Sequence, residues 1–321
     1  MKGDFRFEKM LKIFVVSCLL LAIAIAIGLI AGSEPIDVFS MGELERTILF
    51  DIRLPRVLLS ATVGASLAIS GAALQALLRN PLAEPYLLGV SNGAALGTLL
   101  GLVFLESVPL SRPILAFAGA AMATVIVYRI AKSRAGMTAE RLVLAGVIIT
   151  TFFSSLIILL TSVLDAARLR GFTFWLLGDL SQATHWNVVL TFTSLAAGGL
   201  LLISQSRALN LMMIGDRDAL DLGVETARVR LVVFASASLL VGAAVAAGGS
   251  VGYVGLTVPH LVRLASGSDN RFVLPMSLFS GAAFVVLADT VARVAISPRE
   301  LPVGAITAIV GAPIFIYLLR K

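Results

Sequence analysis

Charge is scarce in this sequence: Asp, Glu, Lys and Arg together supply 14% of its 321 residues. A soluble domain needs about a quarter of its residues charged to clothe its surface, so the deficit excludes a water-solvated globule. Cysteine is nearly absent. Cys18 stands alone, which excludes an intrachain disulfide and leaves the redox compartment unread. No Gly-Lys pair occurs anywhere. That absence removes the G-x-x-x-x-G-K-[ST] phosphate cradle, and with it a P-loop ATPase on this polypeptide. Acid-base or nucleophilic pairs at facing depths, such as Ser/His or Asp/Asp, are also missing, so an intramembrane enzyme finds no support.

What fills the chain is apolar: 58% of residues are hydrophobic and the mean hydropathy is +0.98. The first apolar run, 13 to 31, follows Lys2, Arg6, Lys9 and Lys12. It exceeds the length of a signal-peptide core and no small-x-small cleavage site follows, so it is read as a retained span. Further spans are expected at 54 to 78, 85 to 105, 113 to 131, 140 to 164, 188 to 204, 229 to 248, 251 to 265, 272 to 295 and 303 to 319. The sequence thus predicts an all-α integral membrane protein of about ten transmembrane helices. The glycines at 248 and 249 leave one alternative, a single helix over 243 to 264 with a break.

Orientation follows from the basic residues. With the amino terminus inside, seventeen of the 25 Lys and Arg fall on inner segments and eight on outer ones, as the positive-inside rule expects. Both termini are then cytoplasmic. The net charge of +6 reports this topology and calls for no nucleic-acid partner.

Val63–Ala72 in the second span is similar to Val241–Ser250 in the seventh. An offset of five spans would make the halves an inverted repeat, a frequent plan in transporters. Small residues at helical spacing, such as Gly64, Ala68 and Ala72, predict close helix approach in lipid. Charged or strongly polar groups inside spans are few: Gln75, His260 and Asp289 are the candidates, and Asp289 lies four residues before Arg293, where the two can neutralise each other. An ion-coupled secondary transporter needs a binding site for its driving ion, so an energy source outside the chain is expected, with the ion-coupled carrier as the alternative. Ser206 to Arg230 is the longest inner insertion. It offers a short helix capped by Asp216 and ended by Gly223, and a second short helix over 225 to 230. On pattern alone, docking to a soluble partner and lying on lipid headgroups stay equally open.

Arg53-Leu-Pro-Arg56, Gly71-Ala-Ala-Leu-Gln75, Arg79-Asn-Pro-Leu-Ala-Glu-Pro85, Leu88-Gly-Val-Ser-Asn-Gly-Ala94, Trp175-Leu-Leu-Gly178, Gly215–Gly223, Gly252–His260, Ala288–Arg293, Glu300–Gly304 and Gly311-Ala-Pro313 occur in this order. Together they resemble the permease subunits of ABC importers for iron-siderophores, haem and cobalamin, the FecCD or BtuC-like family. The resemblance spans nearly the whole chain. It implies one permease domain over 1–321, pairing with a second copy, two ABC ATPases on the inner side, a substrate-binding protein outside, and no cofactor. It implies outward arginines that dock the binding protein: Arg53, Arg56 and Arg293. It assigns Gly215, Asp216, Arg217, Asp218, Ala219, Leu220, Leu222 and Gly223 to ATPase coupling, and Asn80 and Leu82 to a cytoplasmic gate, although Pro81 and Pro85 could equally serve to shape that turn. Ferric siderophore is the first cargo it suggests, with haem and cobalamin next.

Overall fold

The structure is a computed structural model and describes residues 2–32, 42–105, 107–108, 110–133 and 136–319. Arg134, Arg320 and Lys321, counted above among the inner charges, lie outside the described residues. Fourteen α-helices follow one another: α1 (Lys2–Ile30), α2 (Glu43–Thr47), α3 (Leu54–Leu78), α4 (Val90–Phe104), α5 (Ser111–Ala131), α6 (Ala139–Thr161), α7 (Ala166–Leu176), α8 (His185–Ser204), α9 (Ser206–Ile214), α10 (Asp216–Asp221), α11 (Thr226–Gly248), α12 (Val254–Ser266), α13 (Asn270–Val294) and α14 (Val303–Leu319). A short hairpin of Lys132–Ser133 against Gly136–Met137 joins α5 to α6.

Each expected span contains one helix. Among the described residues, seven stretches are long and apolar enough to cross a membrane, among them Glu43–Leu78, where α2 continues through a π-helical turn at Ile48–Arg53 into α3. Burial ranks them: 89% of the apolar window of that stretch is buried, against 17% for α1. α3 is therefore the axis of the bundle, wrapped by α8, α11, α12 and α13, and α1 lies on the rim against α13 with Val15, Leu19 and Ile23 outward. The small residues act at the α3–α13 crossing. A Cβ on Gly64 would collide with the Gly281 carbonyl, and one on Gly281 would strike Ala68, so only glycine lets the backbones meet.

α4 and α12 are short. Fifteen and thirteen residues reach about 22 and 20 Å, less than the roughly 30 Å hydrocarbon layer. Each starts inside the bundle after a left-handed residue, Gly89 (φ 74°) and Tyr253 (φ 65°). The linkers that lead to them meet: the Tyr86 hydroxyl bonds both the Val251 carbonyl and its N–H at 2.9 Å, and the Tyr253 N–H donates to Glu84 at 3.1 Å. Pro85 packs on Gly255 beside the Leu67 carbonyl of α3. The expected span over 85 to 105 is thereby corrected: Pro85–Leu88 is a tight 3-10 turn and the helix starts at Val90. The single helix over 243 to 264 is excluded, because 249–253 is a non-helical linker.

Helix contacts repeat at an offset of five spans. The α3–α13 contact is matched by α11–α5, α4–α5 by α12–α13, α5–α6 by α13–α14, and α3–α12 by α11–α4. Three helices were not foreseen: α2, which leads into α3, α7 and α9. α7 starts where Asp165 accepts the N–H groups of Ala167 and Arg168 at 3.0 and 2.9 Å, and α9 opens the insertion between α8 and α11.

Candidate functional site

Two clusters of named residues lie at opposite ends of α3. At its start, the π-helical turn brings Arg53 and then Arg56 onto the face that meets α13. Arg53 Nη1 donates to the carbonyls of Leu29 and Ile30 at the end of α1, at 3.0 and 2.7 Å. Arg56 directs Nε and Nη2 to Asp289, with contacts of 3.0 to 3.2 Å, and Nη1 to both oxygens of Glu300 at 2.9 and 2.8 Å. Arg293 meets the same Asp289 at 3.2 Å one helical turn away, and its Nη2 donates to the Gly28 carbonyl. The i,i+4 pair expected from sequence forms, and Arg56 joins it. The structure thus gathers all three arginines of the expected docking set at one end, with their guanidinium groups turned inward: exposure is 4%, 7% and 4% for Arg53, Arg56 and Arg293.

Arg56 and Arg293 share Asp289, which is 1% exposed, and Arg56 also holds Glu300, which is 38% exposed, while Arg53 bonds the carbonyls at the end of α1. Such a forked pairing in a dry site is strong and geometrically strict. A cavity of 320 Å³ opens beside it, lined by Ile52, Arg53, Arg56, Arg293 and Glu300 among others.

At the far end, α3 stops at Arg79, held in the left-handed conformation (φ 51°). The Asn80 carboxamide oxygen accepts the Leu82 N–H at 2.9 Å, so Asn80 shapes the turn, and Leu82 projects outward, 47% exposed. Arg79 pairs with Asp216 at 3.2 Å, and Asp216 also receives Arg230 at 2.5 Å. Arg230 in turn donates to the Met137 carbonyl of the hairpin. Asp216 was expected to cap α10. It is instead the first residue of that helix, Gly215 holds the capping position without a side-chain bond, and its carboxylate is taken by two arginines because both lie within reach. Gly223 ends the turn as expected, with φ 83°. The second short helix over 225 to 230 does not form separately, since those residues lead directly into α11.

Around this charge knot, Ala219 is fully buried and anchors α10, whereas Leu220 and Leu222 stand 55% and 64% exposed beside exposed Arg217 and Asp218. Ile214, just before Gly215, is 71% exposed. An apolar surface of this kind on a charged protrusion suits a protein partner. Behind it, Asp269 accepts Asn210 of α9 at 2.7 Å and a bidentate Arg271. Those bonds, Arg271 first, hold the Asp269 carboxyl down at about 2.

Of the polar groups within spans, Gln75 donates to the carbonyls of Gly255 and Leu256 and accepts from Arg263. His260 packs edge-on to Phe315. Sequence reasoning passed over Glu84, Tyr86, Arg79, Arg230 and Glu300 as individuals. The first three stand in the Arg79–Leu88 stretch and Glu300 beside Leu301-Pro302, but nothing local in their spacing names partners 14 to 244 residues away.

Known proteins are similar to this chain. The description of the FecCD transport family matches residues 14–321. The cobalamin import system permease protein BtuC of Halobacterium salinarum is 42% identical over 91% of this chain and 78% of its own length. The hemin transport system permease protein HmuU of Yersinia pestis is 41% identical over 85% and 83%. The Fe(3+)-citrate import system permease protein YfmD of Bacillus subtilis is 37% identical over 98% and 96%. Among solved structures, a metal-chelate type ABC transporter in an inward-facing conformation superposes with a TM-score of 0.88 and 35% identity, covering 97% of this chain and 99% of that one. With the match spanning all ten expected spans and both charge clusters, this chain is a multi-pass membrane permease of the FecCD transport family.

Proposed function

We propose that this chain is one half of the membrane pore of a binding-protein-dependent, ATP-driven importer that carries a metal chelate across the cytoplasmic membrane of a prokaryote. Ferric siderophore is the first cargo, with haem and cobalamin next; the names of the relatives cover cobalamin, hemin and ferric citrate. The chain acts as one permease domain, with both termini cytoplasmic, and pairs with a second copy so that the solute path follows the axis between them. Two ABC ATPases bind the inner face and carry the hydrolysis; a substrate-binding protein docks outside at Arg53, Arg56 and Arg293.

The observation that carries this reading is the double pairing of Asp216. One carboxylate ties α10, with its exposed Leu220 and Leu222, to Arg79 at the foot of α3 and to Arg230 at the foot of α11. Gly215 through Gly223 is then a coupling element, and a push on it reaches the Asn80–Leu82 turn through a single residue. That turn runs on to Glu84 and, through the Tyr253 N–H, to the start of α12. Closure of the ATPases moves this chain of contacts, and the path opens to one side at a time. The solute keeps all its bonds throughout.

An ion-coupled carrier would place a buried carboxylate open to its driving cation. Asp289, the buried acid within a span, has Arg56 and Arg293 on its oxygens, which supports an external energy source. The test is uptake of radiolabelled ferric siderophore, haem or cobalamin into vesicles holding the permease with or without its ATPase and binding protein. Uptake requires both partners and ATP. Transport driven by a proton or sodium gradient in their absence overturns the reading.

A further inference from the structure

Arg56 offers one outward edge, and it is occupied from within. Nε and Nη2 face Asp289; Nη1 is held by both Glu300 oxygens. The two acids differ in how they can leave. Asp289 is 1% exposed on α13, while Glu300 is 38% exposed on the turn after the Ile296–Arg299 bridge. Releasing Asp289 would strand a buried charge, which is costly. Releasing Glu300 returns a partly solvated carboxylate to water and leaves Arg56 still paired with Asp289. The 320 Å³ cavity touches Glu300 together with Arg53, Arg56 and Arg293, which gives an incoming acid a way to the edge of Arg56 that Glu300 holds.

We infer that Glu300 is an internal stand-in for the binding protein's carboxylate: it occupies the open edge of Arg56 until an acidic side chain of the docked protein replaces it, and Asp289 remains as the fixed counter-charge. This rests on the docking role of Arg56. Displacement of Glu300 lets the partner's acid enter without adding a further negative charge beside Asp289. Glu300 thereby keeps the guanidinium oriented before docking and competes with the partner, which eases its release.

The assay uses the complete transporter, permease dimer with its ATPase in lipid nanodiscs, and the substrate-binding protein that supports its uptake. Glu300→Gln and Glu300→Ala both tighten binding about five- to tenfold at low salt, and the gain shrinks toward parity as ionic strength rises to about 1 M. Glu300→Asp stays near the starting affinity. Affinity in Glu300→Gln and Glu300→Ala that is unchanged or weaker, in preparations of normal size-exclusion profile, overturns the exchange. Arg56→Glu separates the two readings: if it abolishes docking while the Glu300 variants do nothing, docking stands and exchange falls; if it leaves docking intact, the role of Arg56 itself is lost.

Discussion

Asp289 shows how far a single side chain can be followed from sequence. Its pairing with Arg293 was legible from i,i+4 spacing on one helix. Its pairing with Arg56 spans 233 residues, and no periodicity reports such a distance. The carboxylate serves two buried guanidinium groups, so Asp289→Asn leaves two cations short of a counter-charge. We expect that variant to lose about 3 to 5 kcal/mol of stability, read as a lowered thermal midpoint of the detergent-solubilised protein, with Glu300→Gln losing far less. A midpoint unchanged in Asp289→Asn would remove the acid from the structural core of the cluster. Asp269 behaves differently. Its carboxyl, held at about 2 against an ordinary value near 4, contributes stability that is complete above the unfolded value and lost as pH falls through the range between the two. Acidification from about pH 5 to pH 2 should therefore loosen α9 from α13, where Asn210 meets Asp269, as faster amide exchange in Ser206–Ile214; protection that ignores pH there would contradict the assignment.

At the scale of elements, hydropathy located every span because a helix in lipid must hide its backbone and show apolar side chains. It misplaced the starts of the short ones. The residues ahead of α4 and α12 contain enough apolar side chains to be read into the spans, and what stops the helix is a left-handed residue and a tyrosine bond across the bundle, which hydropathy does not record. α2, α7 and α9 were missed since none is long enough by itself to form a span. The coupling element was legible in its outline, from Gly215 to Gly223, but the role of Asp216 was not: its partners come from α3 and α11. If that residue transmits motion, Arg79→Ala and Asp216→Ala should each lower solute moved per ATP hydrolysed about tenfold, and the double variant should be no worse than Asp216→Ala alone. Independent, multiplicative losses would show that the pair is only a local brace.

For the whole molecule, the repeated contacts pair each half of the chain with the other: α3 of the first half packs on α11, α12 and α13 of the second. The sequence similarity between Val63–Ala72 and Val241–Ser250 pointed to this plan, yet only the contact pattern carries it, since small residues recur in any tight bundle. The plan makes the protein depend on the meeting of halves inside the bundle, where Tyr86 and Glu84 of one linker hold Val251 and Tyr253 of the other.

The wrapped position of α3 bears on how the protein is made. It is among the first helices to leave the ribosome, and the segments that enclose it are synthesised well over a hundred residues later. Gln75 waits 180 residues for the Gly255 carbonyl, and Arg56 waits 233 for Asp289. In that interval α3 has lipid or the insertion machinery for neighbours. Its apolar character thus serves the nascent chain, since 89% of the apolar window of Glu43–Leu78 is buried in the finished protein. Chains truncated after Ser204 should accordingly be cleared by membrane proteases faster than the full-length protein in pulse-chase labelling, and equal lifetimes would mean that α3 needs no later partner.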